Sequence, residues 1–167
     1  MIREATAEDL DRIKEIAVAA DMFSVDEVGF FDEMFAGAHD GSLEGHAWLV
    51  AEDDAGVITG AAQFAPEPFA DRLWNLYFLA ADPVAQGQGV GSTLIGHVET
   101  ELRGRGDDVA RVLIVETSST DQYASSRAFY AAQGFTEEAR IREFYGPGDD
   151  KVVFWKALTD SATAGVG

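Results

Sequence analysis

The sequence predicts an α+β (α/β) architecture: a mixed, mostly antiparallel sheet of six to seven strands flanked by about four helices, with one parallel pair of strands at its centre. Three observations carry this. Apolar residues at helical spacing alternate with β-rich runs along the chain. Two pairs of those runs are joined by short turns rich in Asp and Gly. One succession of strand, glycine turn, helix and strand forms a βαβ unit.

In chain order, Thr6-Ala7-Glu8-Asp9 has the form of a capping box, in which a hydroxyl and an acid three residues apart serve each other's backbone amides. Leu10, Ile13, Ile16 and Ala17 follow at spacings of three and four, so a first helix comes after a short first strand. A second helix is predicted over 25–35, with Val28, Phe31, Met34 and Phe35 in register, and a loop over 37–45 ends it. The runs 47–52 and 57–64 flank Asp53-Asp54-Ala55-Gly56, a turn suited to positive φ, and should pair antiparallel. Residues 73–81 are apolar at nearly every position, as in a central strand buried on both faces.

From Val90, the residues Leu94, Ile95, Val98 and Leu102 recur at helical spacing, with Gly104 and Gly106 as a stop, and 111–115 reads as another buried strand. A right-handed crossover makes this strand parallel to 73–81 and brings both carboxyl ends to one edge, where ligands bind. A last helix over 121–133 is closed by Gly134, and 135–145 with 151–158 form a hairpin around Gly146-Pro147-Gly148-Asp149-Asp150. One domain over 1–158 with a disordered tail at 159–167 is expected.

Composition narrows the function. The chain has 167 residues, 47% of them hydrophobic, enough for one substantial core. Its 30 acids against 12 bases give a formal charge of -18, which argues against a nucleic-acid surface and against an anionic membrane. The acids are scattered along the chain, a pattern that suits a halophilic cytosol: at molar salt the Debye length falls to about 3 Å and self-repulsion is screened. An acidic mesophilic protein is the plainer alternative. Without a cysteine the chain has no thiol for an acyl-enzyme or a metal. Neither a leader-like N-terminus nor a run of membrane length is seen, so a cytoplasmic location is expected.

The informative segment is Gln86-Gly87-Gln88-Gly89-Val90-Gly91-Ser92, between a buried strand and a helix start. There, unpaired backbone N–H groups and the positive end of the helix dipole attract a phosphate, and glycines keep side chains out of its way. No acid occurs over 83–98 in a chain this acidic. The spacing is not that of a dinucleotide fingerprint, because Ser92 or Leu94 stands where the last glycine belongs, nor that of a Walker loop, because His97 stands where the lysine belongs.

The turn, the helix after it and the segment 126–135 together resemble the Gcn5-related N-acetyltransferase (GNAT) family over nearly the whole domain. In that family a Q/R-x-x-G-x-G/A motif binds the pyrophosphate of acetyl-CoA, which falls here on Gln86, Gly89 and Gly91, with the amides of Gly87, Gln88, Val90 and Ser92 beside them. The resemblance implies that the central strand splays from its parallel neighbour, leaving backbone groups of Leu79, Ala80 and Ala81 for pantetheine and the acetyl carbonyl. It also implies that a Y-x-x-x-G-F motif, Tyr130 with Gly134 and Phe135, aims the phenol of Tyr130 at the thioester sulfur. One departure is Tyr123, where many relatives carry an asparagine; Ser126 and Arg127 are the substitutes at hand for contacts to the pantetheine arm.

Direct transfer needs a neutral amine, donors for the developing oxyanion and an acid for the thiolate. Tyr130 is read as the acid. Glu116, at the end of a buried strand on the ligand edge, is read either as the base or as a cap for the following helix. Tyr77, Glu67, Phe144 and Tyr145 are candidate acceptor-side residues, each equally readable as core or surface. His39, His46 and His97 fit no metal or catalytic pattern and read as structural, as do Trp48, Trp74 and Trp155. The expected partners are acetyl-CoA as cosubstrate and a small-molecule or peptide amine, with no nucleic acid, membrane or metal and with a homodimer left open. Two rival readings remain: a non-catalytic acyl-CoA-binding sensor or interaction domain, and an acidic nucleic-acid mimic, against which the acid-free turn counts.

Overall fold

Four helices and seven strands form among residues 1–159, which the computed structural model describes. The strand order is β1-β2-β3-β4-β5-β7-β6. The tail expected at 159–167 lies, from residue 160 on, outside the described residues. The chain groups into two compact units, with strand β4 (Leu73–Ala81) and helix α3 (Val90–Gly104) each contributing to both.

The first unit holds Met1–Pro66 and Tyr77–Thr100. Strands β1 (Ile2–Glu4), β2 (Ala47–Glu52) and β3 (Ile58–Pro66) pair antiparallel, with Arg3↔Val50 and Val50↔Ala61 fixing the register. The capping acid works as its spacing predicts: Asp9 Oδ2 accepts from the Thr6 N–H at 2.7 Å, ahead of helix α1 (Leu10–Ala19). The same carboxylate takes two hydrogen bonds from Arg3, at 2.8 and 3.0 Å, a partner that local spacing did not disclose. Together these hold the Asp9 carboxyl down at about 2, the Arg3 bonds contributing most.

Helix α2 runs over Phe30–Asp40, later than the predicted 25–35. The reason is packing. Phe31 and Phe35, one turn apart, fill a core with Ile13, Ile16, Trp48 and Phe78, whereas Val25 is 75% exposed and gains nothing from helix formation. Gly37, expected to begin a loop, lies inside the helix, where Leu43 packs 2.7 Å from the place a Cβ would take and so requires a residue without a side chain. The helix stops at Gly41, whose φ of 83° the left-handed region allows. Each large side chain so buried contributes about 1.5–3 kcal/mol.

The second unit holds Glu67–Leu76 and the chain from Glu101. Residues 73–76 of β4 pair parallel with 112–115 of β5 (Val112–Ser118), as the βαβ pattern predicts. Strand β5 pairs antiparallel with β7 (Asp149–Ala157), and β7 with β6 (Thr136–Gly146). The five-residue loop expected between the hairpin strands shrinks to a tight turn through Gly148, φ 73°. Helix α4 (Ala124–Ala132) follows a short 3-10 turn at Asp121–Tyr123. The expectation that β4 is covered on both faces holds only in part, since Tyr77 is 43% exposed in the middle of the strand.

Candidate active site

The glycine turn is built from its anchor outward. Asp82 accepts from the Val84 N–H at 3.0 Å, pairs with Arg12 of α1, and sends its own N–H to Thr59 O on β3 at 2.8 Å. The 3-10 turn Pro83–Ala85 is therefore fixed at its base. After it, Gly87 and Gly89 adopt φ of 85° and 75°, which a side chain resists. A Cβ at either would meet nothing within 4 Å, so the conformation, not crowding, requires glycine.

The decisive feature is what the amides do. Gln86 and Gln88 donate to Pro83 O and Ala85 O, and Thr93 donates to Gly89 O. Those of Gly87, Gly89, Val90 and Gly91 have no acceptor among the described residues. The turn is exposed through Gly89 and half-buried at Val90 and Gly91, at the first turn of the 15-residue helix α3. Four unmatched donors at a helix start are an arrangement that can accept an anion. Gly60, which sequence reasoning passed over, lets this helix lie against β3: a Cβ there would meet Val90 Cγ1 at 2.5 Å and Leu94 Cδ1 at 3.0 Å. The available signal was a glycine inside an otherwise β-rich run.

On β4, the Ala80 carbonyl stands 3.0 Å from the Cβ position of Gly60 and so faces β3, as does the Asp82 N–H. Backbone groups of successive strand residues point to opposite edges, which turns those of Leu79 and Ala81 away from β3. Beside this half-strand, His46 Nδ1 lies 2.9 Å from Gln63 Nε2, and the His46 and Tyr77 rings are parallel within 6°, centroids 6.2 Å apart. Gln63 is wholly buried and its Oε1 has no partner. Burial holds His46 below its ordinary value, so the ring is neutral at neutral pH. His39, by contrast, is structural: its nitrogens reach Phe35 O and Ala5 O.

In the second unit, Tyr130 is buried among Phe129, Phe135 and Phe154, and that burial raises its phenol well above the ordinary range. Its hydroxyl has no hydrogen bond among the described residues and stays protonated, a donor in waiting. Ser126 is half-buried on the same helix. Arg127 donates to Ser118 O and Thr120 O at 2.8 Å, which ties the helix to the end of β5.

Glu116 is not a lone carboxylate at the strand end: Lys151 Nζ lies 3.1 Å from its Oε1, and the same ammonium stands 4.1 Å over the Phe144 ring. Tyr145 nearby is pushed up to about 12, by burial first and then by the Glu116 and Asp149 charges and by Tyr123. Glu67 accepts from Asn75 Nδ2 at 2.8 Å, and the buried Asn75 Oδ1 has no partner.

The model of a family described as the acetyltransferase (GNAT) family matches residues 10–135. A mycothiol acetyltransferase from Beutenbergia cavernae is 36% identical over 99 residues, covering 59% of this chain and 31% of the relative. An aminoglycoside N(6')-acetyltransferase type 1 from Klebsiella aerogenes is 34% identical over 108 residues, covering 60% of this chain and 66% of the relative. The chain thus spans less than two thirds of the length of either curated relative. A solved GNAT-family structure from Desulfovibrio desulfuricans matches with a TM-score of 0.84 and 28% identity, over 95% of this chain and 99% of that one.

Proposed function

Since the chain belongs to the GNAT acetyltransferase family, we propose that it moves the acetyl group of acetyl-CoA directly to a primary amine of a small molecule or peptide, without a covalent enzyme intermediate. The observation that carries this reading is the set of four unmatched amides at Gly87, Gly89, Val90 and Gly91, opening at a helix start within an acid-free stretch of a chain of charge -18. A diphosphate satisfies those donors without a cationic side chain.

In this reading Gln86, Gln88 and Ser92 flank the diphosphate. The outward backbone groups of Leu79 and Ala81 hold the pantetheine and the acetyl carbonyl, Ala80 keeps the strand against β3, and Ser126 contacts the pantetheine arm. Tyr130 gives its proton to the departing thiolate. Tyr77, Glu67, Phe144 and Tyr145 face the acceptor. Glu116, the sequence candidate for the base, has its carboxylate engaged by Lys151, so we assign it to the charge balance of the acceptor side. The amine acceptor follows the N-acetyltransferase relative; the alkylammonium groups of cationic acceptors suit the negative surface.

We further infer a cytoplasm rich in salt as the working medium, with two copies associating as the assembly to look for. The acidic surface supports the first, and a melting temperature that rises steeply between about 0.1 and 2 M KCl checks it; sedimentation in the same salt reads the second. The central experiment is a panel of primary amines with acetyl-CoA in high salt, reading free thiol. Release with at least one amine, absent without it, is expected. Tight acetyl-CoA binding with no release for any amine would instead mark a sensor domain.

A further inference from the structure

We propose that His46 is the proton acceptor for the incoming amine, presented through Nε2 and positioned by Gln63 and Tyr77. This rests on the acetyl-transfer reading and adds to it a residue whose sequence context suggested only a structural role.

The geometry is local to one unit. His46 lies just before β2, half-buried, with its backbone N–H given to Leu43 O at 3.3 Å. Gln63 of β3 fixes Nδ1 at 2.9 Å, and the Tyr77 ring of β4 lies parallel to the imidazole. Nε2 has no partner among the described residues. Tyr77 is two residues before Leu79, about 7 Å along the strand, and its partial exposure keeps this end of the arrangement open.

Gln63 is the second sign. An amide in the core with one of its two polar atoms unmatched is a cost to the fold, and an apolar residue would fit a purely structural position better. Its amide can present either atom to the imidazole. With the oxygen turned to Nδ1–H, the tautomer leaves a lone pair on Nε2; with the NH2 turned to Nδ1, Nε2 carries the proton. Turning the amide therefore toggles the ring between base and donor, and one amide atom is unmatched in both states.

The surroundings keep the ring neutral. Tyr77 is the titratable group that faces it from another element, Gln63 is uncharged, and Glu44 on the ring's own loop is exposed. Burial thus lowers the imidazole without a carboxylate to raise it again.

The step balances as follows. An ammonium R–NH3+ gives one proton to His46 Nε2. The freed lone pair forms the N–C bond to the acetyl carbon, and the C–S bond breaks with its electron pair on sulfur. The second N–H proton reaches the sulfur by way of the acid, and His46 returns its proton to solvent, one per turnover.

The test compares wild type, His46→Gln, His46→Ala and Gln63→Glu, each checked for unchanged acetyl-CoA affinity by calorimetry. His46→Gln should lower kcat on the order of 100-fold or more and remove the acid limb of kcat/KM that wild type shows below pH 6.5. Added imidazole should restore part of the rate to His46→Ala. Gln63→Glu places a carboxylate on Nδ1 and should move the acid limb to higher pH, a displacement that a structural role would not produce. The proposal is overturned if His46→Gln keeps its rate within about threefold and its limb in place. A wild type that binds acetyl-CoA yet acetylates no amine would overturn the transfer reading itself, an outcome distinct from an active wild type insensitive to His46.

Discussion

The glycine turn and the end of β5 are both places where the sequence pointed to chemistry, and they differ in what their residues present. The turn offers backbone N–H groups, so its requirement is written in the residues that are missing a side chain, and Gly87 and Gly89 adopt the positive φ that requirement implies. The end of β5 offers a carboxylate, and a carboxylate is defined by its neighbours. Glu116 meets Lys151 only because β5 and β7 pair in the register Glu116↔Val153 and Ser118↔Lys151, which no local spacing reveals. A site made of backbone is legible where it lies; a site made of side chains is legible only after the sheet is assembled.

The sharpest way to break this comparison is at Gly89. Replacing it by Glu forces a side chain into φ 75° and sets a negative charge among the unmatched amides proposed to hold the diphosphate. Acetyl-CoA affinity should fall by at least about 100-fold, roughly 2.7 kcal/mol, while the melting temperature should drop only by what the strained φ costs, about 1–2 kcal/mol of stability, because a Cβ there meets nothing within 4 Å. Gly89→Ala isolates the conformational part: it should cost about 1 kcal/mol of stability and lower acetyl-CoA affinity tenfold or less. Calorimetric titration reads both; equal affinity in Gly89→Glu and wild type would move the diphosphate elsewhere.

Next in size is a side-chain position that the sequence did single out. Tyr130→Phe keeps the buried ring among Phe129, Phe135 and Phe154 and deletes only the hydroxyl. The expected fall in kcat is on the order of 10- to 100-fold with the acetyl-CoA dissociation constant unchanged. A rate within a factor of about two of wild type would make Tyr130 a core residue.

Much of the fold could be read in advance because periodicity reports which face is buried. Strand β4 and the helix after the turn were placed by it, as were both hairpins. Helix α2 was misplaced by about five residues at its start, because the apolar run 25–35 contains the true buried pair Phe31 and Phe35 but also an exposed Val25, and periodicity weights all alike. Gly60 shows the same limit from the other side: a glycine inside a β-rich run signals a close approach, but that the approach is made by the helix after the turn comes only from the assembled fold. His46 was read as structural because one histidine without a spaced partner carries no pattern; Gln63, its partner, is 17 residues away.

Asp9 sits between these extremes, since its bond to Thr6 follows from spacing and its bonds to Arg3 do not. With its folded value at about 2 against about 3.8 unfolded, the group adds stability that is fully present above pH 4 or so and is lost as pH falls toward 2. The contribution amounts to about 2 kcal/mol. Urea unfolding followed from pH 5 to pH 2 should show this loss in wild type and not in Asp9→Asn. Arg3→Met should remove the larger part of it, because the Arg3 bonds outweigh those of Thr6.

The smallest expected effect is at Glu116, and it is the one that tests the comparison most directly. Lys151 is 13% exposed and Glu116 27%, so Glu116→Gln leaves an ammonium with Phe144 beneath it and a neutral amide where its counter-charge was. Solvent reaches the pair, so the loss should be about 1 kcal/mol, below that of a sealed ion pair. The Tyr145 phenol should titrate somewhat below its present value of about 12, though still above an ordinary tyrosine, because burial is the larger cause and survives the substitution. Turnover should change by less than about threefold if the amine's proton goes elsewhere. A hundredfold fall at unchanged acetyl-CoA affinity would instead make Glu116 the base, with Lys151 as the group the ammonium displaces, and the end of β5 would then have been as legible as the glycine turn.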